Sequence, residues 1–172
     1  MNQRFTSATT SINRVKLPAV YGKVSFPAGS VVFDYGCGRY TDHIRQHLSG
    51  SKYLPYDVFN QPDDVNSESI RSVTRSIMQG RSVSVVCSNV LNVIDSDDIV
   101  RGIMARIARI IRSGHGTAYI TVYEGDRSGH GKQTGPDSWQ RNARLADYLQ
   151  FVPVGVSARI SRGMIILECM PA

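Results

Sequence analysis

Residues Val31–Asp42 read VVFDYGCGRYTD, and this stretch decides the fold. Ser30–Tyr35 is β-rich and almost wholly apolar, as a buried parallel strand requires. The glycine turn Gly36-Cys37-Gly38 follows, and Thr41 or Asp42 then caps a helix that runs towards Leu48. Strand, glycine turn and helix in this order open a nucleotide-cofactor site. Gly36 permits the sharp turn, and Gly38 lets backbone approach a ligand with no Cβ in the way. The pattern departs from the dinucleotide fingerprint, because Thr41 stands where a third glycine belongs. Asp34, two residues before the first glycine, repels a pyrophosphate but accepts hydrogen bonds from a cationic amine. That chemistry favours the aminoacyl end of S-adenosylmethionine.

Working outward, Lys52–Tyr56 reads as a short second strand that leads into Asp57. An acid here, 23 residues after Asp34, closes a βαβ unit where ribose hydroxyls bind. Asn60–Asn66 is a polar loop by composition, and Ser67–Gln79 is a helix on the spacing of Ile70, Val73 and Ile77. Ser82–Cys87 is the next strand. Three acids at Asp95, Asp97 and Asp98 suit a helix start. Ile99–Arg112 then sets its isoleucines on one side and Arg101, Arg106, Arg109 and Arg112 on the other, an amphipathic helix over a sheet. Thr117–Tyr123 is another strand. Trp139–Leu149 reads as helical, and β-rich runs near Phe151–Ile160 and Gly163–Met170 form a closing hairpin. The expected fold is α/β: one domain over residues 1–172, Rossmann-like, with a mostly parallel sheet and a C-terminal antiparallel hairpin.

Composition bounds the rest. Hydrophobic residues make up 41% and charged residues 20%, a globular balance. No apolar run approaches the ~18 residues that span a bilayer, and the N-terminus lacks a secretory core. Cys37, Cys87 and Cys169 are an odd number and widely spaced, so the expected compartment is the reducing cytoplasm. Net charge is +6, carried by sixteen arginines and four lysines. Arginine excess admits two readings: an anionic partner such as nucleic acid, or solvated helix faces.

The polar segment 124–138, EGDRSGHGKQTGPDS, is expected to be a long loop over the site, since its glycines let it fold over a substrate. In it His130 is a candidate general base, oriented by Asp126 or Glu124; a solvated excursion without a catalytic role is the alternative. Trp139 stacks on a flat acceptor such as a nucleobase, or serves as a packing anchor. His43 and His47 have zinc-helix spacing without a third ligand, so no metal site is expected. Residues 1–20 form an N-terminal segment that docks on the domain.

VFDYGCG, then YDVF, then VVCSNVLNVI resemble the successive cofactor motifs of class I S-adenosylmethionine-dependent methyltransferases. More narrowly, TTSINRVKLPAVYG, SNVLNVI and YEGDRSGHGKQTGPDSWQRN resemble small methyltransferase-like proteins of phages and mobile elements, including ones associated with DNA phosphorothioation. The resemblance implies that Asp34, Gly36, Cys37 and Gly38 face the methionine part of the cofactor and Asp57 its ribose. It implies that Asp64 and Val65 flank the adenine, and that Ser88 and Asn89 lie near the sulfonium and the acceptor. Arg14 folds over the site in the narrower group. Two departures stand out: Tyr40 replaces a usual glycine, and the usual third strand has no counterpart between Asp57 and Ser82. The turn Cys87–Leu91 carries neither the proline pair of amino-methylating DNA enzymes nor a placed cysteine nucleophile.

The expectation is therefore an enzyme that moves a methyl group to a nitrogen or oxygen acceptor, with nucleic acid or a nucleotide in view. The competing reading is a binding module that keeps the fold without turnover and associates with nucleic acid. The incomplete glycine pattern counts against a nicotinamide-dependent oxidoreductase.

Overall fold

A computed structural model describes residues 3–8 and 16–170; Arg14 lies outside the described residues. The central sheet has six strands: β1 (Val31–Tyr35), β2 (Lys52–Tyr56), β3 (Val83–Ser88), β4 (Thr117–Thr121), β7 (Val156–Ser161) and β8 (Met164–Cys169). A separate small sheet holds β5 (Lys132–Gly135) and β6 (Ser138–Gln140). The strand order of the large sheet is β2-β1-β3-β4-β8-β7. Its first four strands are parallel, and the closing hairpin adds β8 antiparallel to β4, with β7 at the edge. This is a Rossmann-like α/β fold with a C-terminal antiparallel hairpin.

The strands form where apolar runs can be covered on both faces. Along β1, Val31, Phe33 and Tyr35 pack with the core under helices α2 (Asp63–Met78) and α3 (Asp97–Ser113). Val32 points to the opposite layer, where it meets Val20, Tyr21, Tyr53 and Ile44 of helix α1 (Asp42–His47). Period-two alternation therefore sends Asp34 to the α1 face, away from Tyr35. Helix α3 starts as its acids predict. The Ser96 side chain accepts from the Ile99 amide, Asp97 and Asp98 occupy the first turn, and Val100, Met104, Ile107, Ala108 and Ile111 are buried.

Three expectations need correcting. Helix α2 begins at Asp63 and not at Ser67, because Pro62 sets the entry and Asp63 and Asp64 favour the first turn. The stretch between Tyr56 and Val83 agrees with the expectation that the usual third strand has no counterpart: α2 occupies it, and β2 is the edge of the sheet. The run from Trp139 is not one helix. Ser138–Gln140 is drawn into β6, Arg141 donates to the Asn92 carbonyl, and Asn142 takes a left-handed φ of 55°. Only Leu145–Phe151 coils, as a 3-10 helix whose first amide donates to Glu124. The segment after Tyr123 is likewise not wholly loop, since β5 pairs with β6.

Among the described residues no helix is long and apolar enough to cross a membrane, and no group of three or more His, Cys, Asp or Glu gathers to hold a metal.

Candidate functional site

The parallel strands β1, β2 and β3 end on one side of the sheet, and a cavity of about 730 Å³ opens there. One half is built from the turns that follow these strands. Gly36 has φ +81°, and a Cβ on it would lie 2.2 Å from Val90 Cγ2, so glycine alone fits between the β1 turn and the turn after β3. The Gly36 and Cys37 amides both donate to the Tyr56 carbonyl, at 2.7 and 3.2 Å. The Gly38 amide donates to Asp57 Oδ2 at 2.9 Å. The three amides of the turn are therefore engaged within the protein.

Asp57 is the joint of this half. Its Oδ1 accepts from the Phe59 and Asn60 amides, both at 3.0 Å, and from Asn60 Nδ2 at 3.2 Å. Its backbone is clamped on both sides by the Asn66 side chain of α2. Each carboxylate oxygen offers about two lone pairs, so Oδ1, with three donors, is saturated and Oδ2, with one, keeps a lone pair open. Val58 and Phe59, both exposed, follow directly and line the cavity.

The other half is lined by Asn92, Tyr123, Thr134, Trp139 and Gln140, with Gln3, Thr6 and Ser7 arriving from the N-terminal segment. Trp139 stacks on Phe5, ring centroids 5.4 Å apart and 17° from parallel. The Ser7 amide donates to the Asp137 carbonyl at 2.9 Å, and the Trp139 amide to Ser7 Oγ at 3.4 Å. Gly131 makes room for the indole, since a Cβ there would sit 2.4 Å from Trp139 Cζ2. Asn92 Nδ2 donates to Gln140 Oε1 at 3.3 Å, and Gln140 Nε2 to the Tyr123 carbonyl at 2.9 Å. The Tyr123 amide donates in turn to Asn92 Oδ1.

Of the residues predicted from sequence, Gly36, Cys37, Gly38, Asp57, Ser88 and Asn89 line the cavity together. Ser88 shares a 2.9 Å hydrogen bond with the Thr121 hydroxyl, and Asn89, at φ 56°, donates its amide to the Thr121 carbonyl. Asp34 does not line it. It is 2% exposed and takes a 2.8 Å hydrogen bond from the Tyr53 hydroxyl. Burial pushes its carboxyl up to about 6, against the opposing pull of the Tyr21 and Tyr53 phenols, with the Asp57 charge adding to the rise. Asp64 and Val65 do not line it either, since both belong to the first turns of α2. Val58, Phe59 and Asn60 stand in their place. Their signal was the run YDVFN itself, directly after the strand.

Asp126 and His130 also fall outside the cavity lining, and both are exposed. Asp126 is held below its usual range, first by Ser128 and then by Lys132, while the His130 carbonyl accepts from Asn142. Glu124 is likewise occupied, by the Leu145 amide and Arg127. The segment contributes Thr134 and the approach to Trp139 instead. Tyr40 is not among the lining residues. Cys37 is 4% exposed, and burial drives its thiol far above the ordinary range, so it is no nucleophile.

No histidine, lysine, arginine or glutamate lines the cavity among the described residues; Asp57 is its one acid. The arginines largely serve the fold. Arg141 donates to the Ile94 carbonyl and pairs with Asp97, Arg106 donates to the Tyr56 hydroxyl, and Arg101 lies over the Phe151 ring. No protein-family model and no curated protein matches the chain.

Proposed function

We propose that the chain binds S-adenosylmethionine in this cavity and transfers its methyl group to a nitrogen or oxygen acceptor. One observation carries the reading: the interlock of Gly36-Cys37-Gly38 with Tyr56 and Asp57. It leaves the turn without a set of free amides, which a pyrophosphate needs, and places a carboxylate oxygen with one open lone pair at the end of β2. A dinucleotide fits this badly. A cofactor with a ribose and no phosphate fits it well.

Asp57 Oδ2 would hold a ribose hydroxyl, and Val58 and Phe59 supply apolar surface for the adenine. Gly36 and Gly38 admit the aminoacyl part close to backbone, beside Ser88 and Asn89. When bound, the cofactor supplies a methyl group on a positively charged sulfur. The protein's share of such chemistry is alignment, with proton removal only where the acceptor needs it. Among the described residues no histidine or glutamate lines the cavity, Asp57 is engaged by four donors, and burial pushes the Tyr35 phenol up to about 12. This favours a neutral nitrogen, nucleophilic without prior deprotonation, over a hydroxyl oxygen, which needs a base.

The same lack of a base is what favours the second reading, a cofactor-binding module without turnover. Incubation with cofactor labelled in its methyl group, against nucleic acid, small-molecule and protein fractions, separates the two. Methyl transfer predicts label in one fraction and an equal amount of S-adenosylhomocysteine. Binding without label in any fraction supports the module.

A further inference from the structure

The half of the cavity beyond Asn89 has a chemistry of its own, and nothing in the cofactor reading uses it. Asn92 is 3% exposed and Gln140 9%, yet both line the cavity. Their mutual hydrogen bond and the two bonds to the Tyr123 backbone fix which end of each amide is donor and which is acceptor. Each side chain amide then retains one N–H and one oxygen lone pair. Beside them stands Trp139, steadied by Phe5, with its indole Nε1 buried and without a hydrogen-bond partner. Thr134 and Ser7 add hydroxyls at the same wall. Among the described residues no lysine or arginine lines this half, so none of them compensates a negative charge there.

We propose that this half seats the methyl acceptor as a neutral, planar, nitrogen-containing ring of the nucleobase kind. The proposal rests on the cofactor reading and names its acceptor class. A ring edge carrying both donors and acceptors matches the open valences of Asn92 and Gln140, and its flat face matches the indole. The indole N–H, costly when buried alone, gains an acceptor on the ring. In the transfer the ring nitrogen's lone pair forms the N–CH3 bond while the S–CH3 bond breaks and its electron pair stays on sulfur. A nitrogen that carried hydrogen then releases one proton to water. A phosphate or carboxylate as the acceptor group would meet no cation among the described lining residues.

Trp139 is the single tryptophan of the chain, so its emission reports on this lobe directly. The full-length protein is saturated with S-adenosylhomocysteine, to keep adenine out of the cofactor half, and titrated with adenosine, guanosine, cytidine and uridine. At least one nucleoside is expected to quench the emission saturably. Asn92→Ala and Gln140→Ala are each expected to weaken that nucleoside about fivefold. Trp139→Leu, followed by calorimetry, gives a second variant outside the amide network. Ribose 5-phosphate and N-acetylglutamine amide are expected to leave the emission flat. The seat is overturned if all four nucleosides fail, if ribose 5-phosphate quenches as well as they do, or if the glutamine amide binds and they do not. Calorimetry with S-adenosylhomocysteine alone separates the two claims. Protein that binds it and rejects nucleosides keeps the cofactor reading and loses the seat. Protein that ignores it but takes a nucleoside through Asn92 and Gln140 loses the cofactor reading and keeps the seat.

Discussion

Asp34 and Asp57 are both aspartates at strand ends, and the pleat gives them opposite fates. Asp57 sits one residue beyond β2, where its two oxygens gather the loop and the glycine turn around them. Asp34 lies within β1, on the α1 face, with Tyr53 and Tyr21. Its carboxyl is raised to about 6 chiefly by burial. An unfolded aspartate titrates near 3.9, so between about pH 4 and pH 6 the folded state holds more protons than the unfolded one. The native state is therefore favoured at the acid end of that window, and stability falls as pH rises through it. The whole effect is roughly 3 kcal/mol. Asp34→Asn, which keeps the shape and one carbonyl acceptor for Tyr53, should abolish this slope and leave the variant the more stable of the two at pH 7. Urea unfolding at pH 4, 5, 6 and 7 measures it, and equal slopes for the two proteins would refute the assignment. The sequence pattern DYGCG showed an acid before the turn. It did not show which face of the strand the acid takes, because a strand covered on both sides is apolar throughout and carries no visible alternation.

At the scale of elements, strands buried on both faces and the amphipathic α3 could be read directly, since continuous apolar runs and a 3.6-residue stripe leave few alternatives. Elements held by polar contacts could not. Ser138–Gln140 becomes a strand because the neighbouring β5 offers it a partner and Asn92, more than forty residues back in the chain, takes the Arg141 amide. The start of α2 was hidden by its own acids, which read as loop by composition and as a helix N-terminus by electrostatics. Half of the candidate site, Gly36 to Asp57 with Ser88 and Asn89, was legible as local motifs. The other half joins Asn92, in the turn after β3, to Trp139 and Gln140 of β6, and only the topology brings these two distant stretches together. A close contact joins the turn after β1 to the turn after β3 through Gly36 and Val90. Gly36→Ala must place a side chain at φ +81° and push Val90 aside. A loss of about 1–3 kcal/mol in stability is expected, together with loss of ligand binding. Adding Val90→Ala should recover part of the stability, since it relieves the clash and leaves the backbone strain. Thermal melts of the two variants decide this; no recovery would mean that the strain alone dominates.

On the scale of the whole molecule, the strand ends converge on one cavity, the described lysines and arginines stay out of its lining, and the missing strand beyond β2 leaves Val58 and Phe59 exposed beside it. The described arginines, which admit an anionic partner or solvated faces, are thus kept out of the lining of the cavity. A nucleic acid fits both facts, with its phosphates on the basic exterior and a neutral base in the cavity. Everything in that account depends on what occupies the half built by the glycine turn and Asp57. Isothermal titration of the purified chain with S-adenosylhomocysteine, beside NAD and an Asp57→Ala variant, addresses it most directly. The account predicts saturable binding of one S-adenosylhomocysteine per chain, at least tenfold weaker in the variant, and no heat from NAD. Absence of S-adenosylhomocysteine binding, or NAD binding in its place, would contradict it.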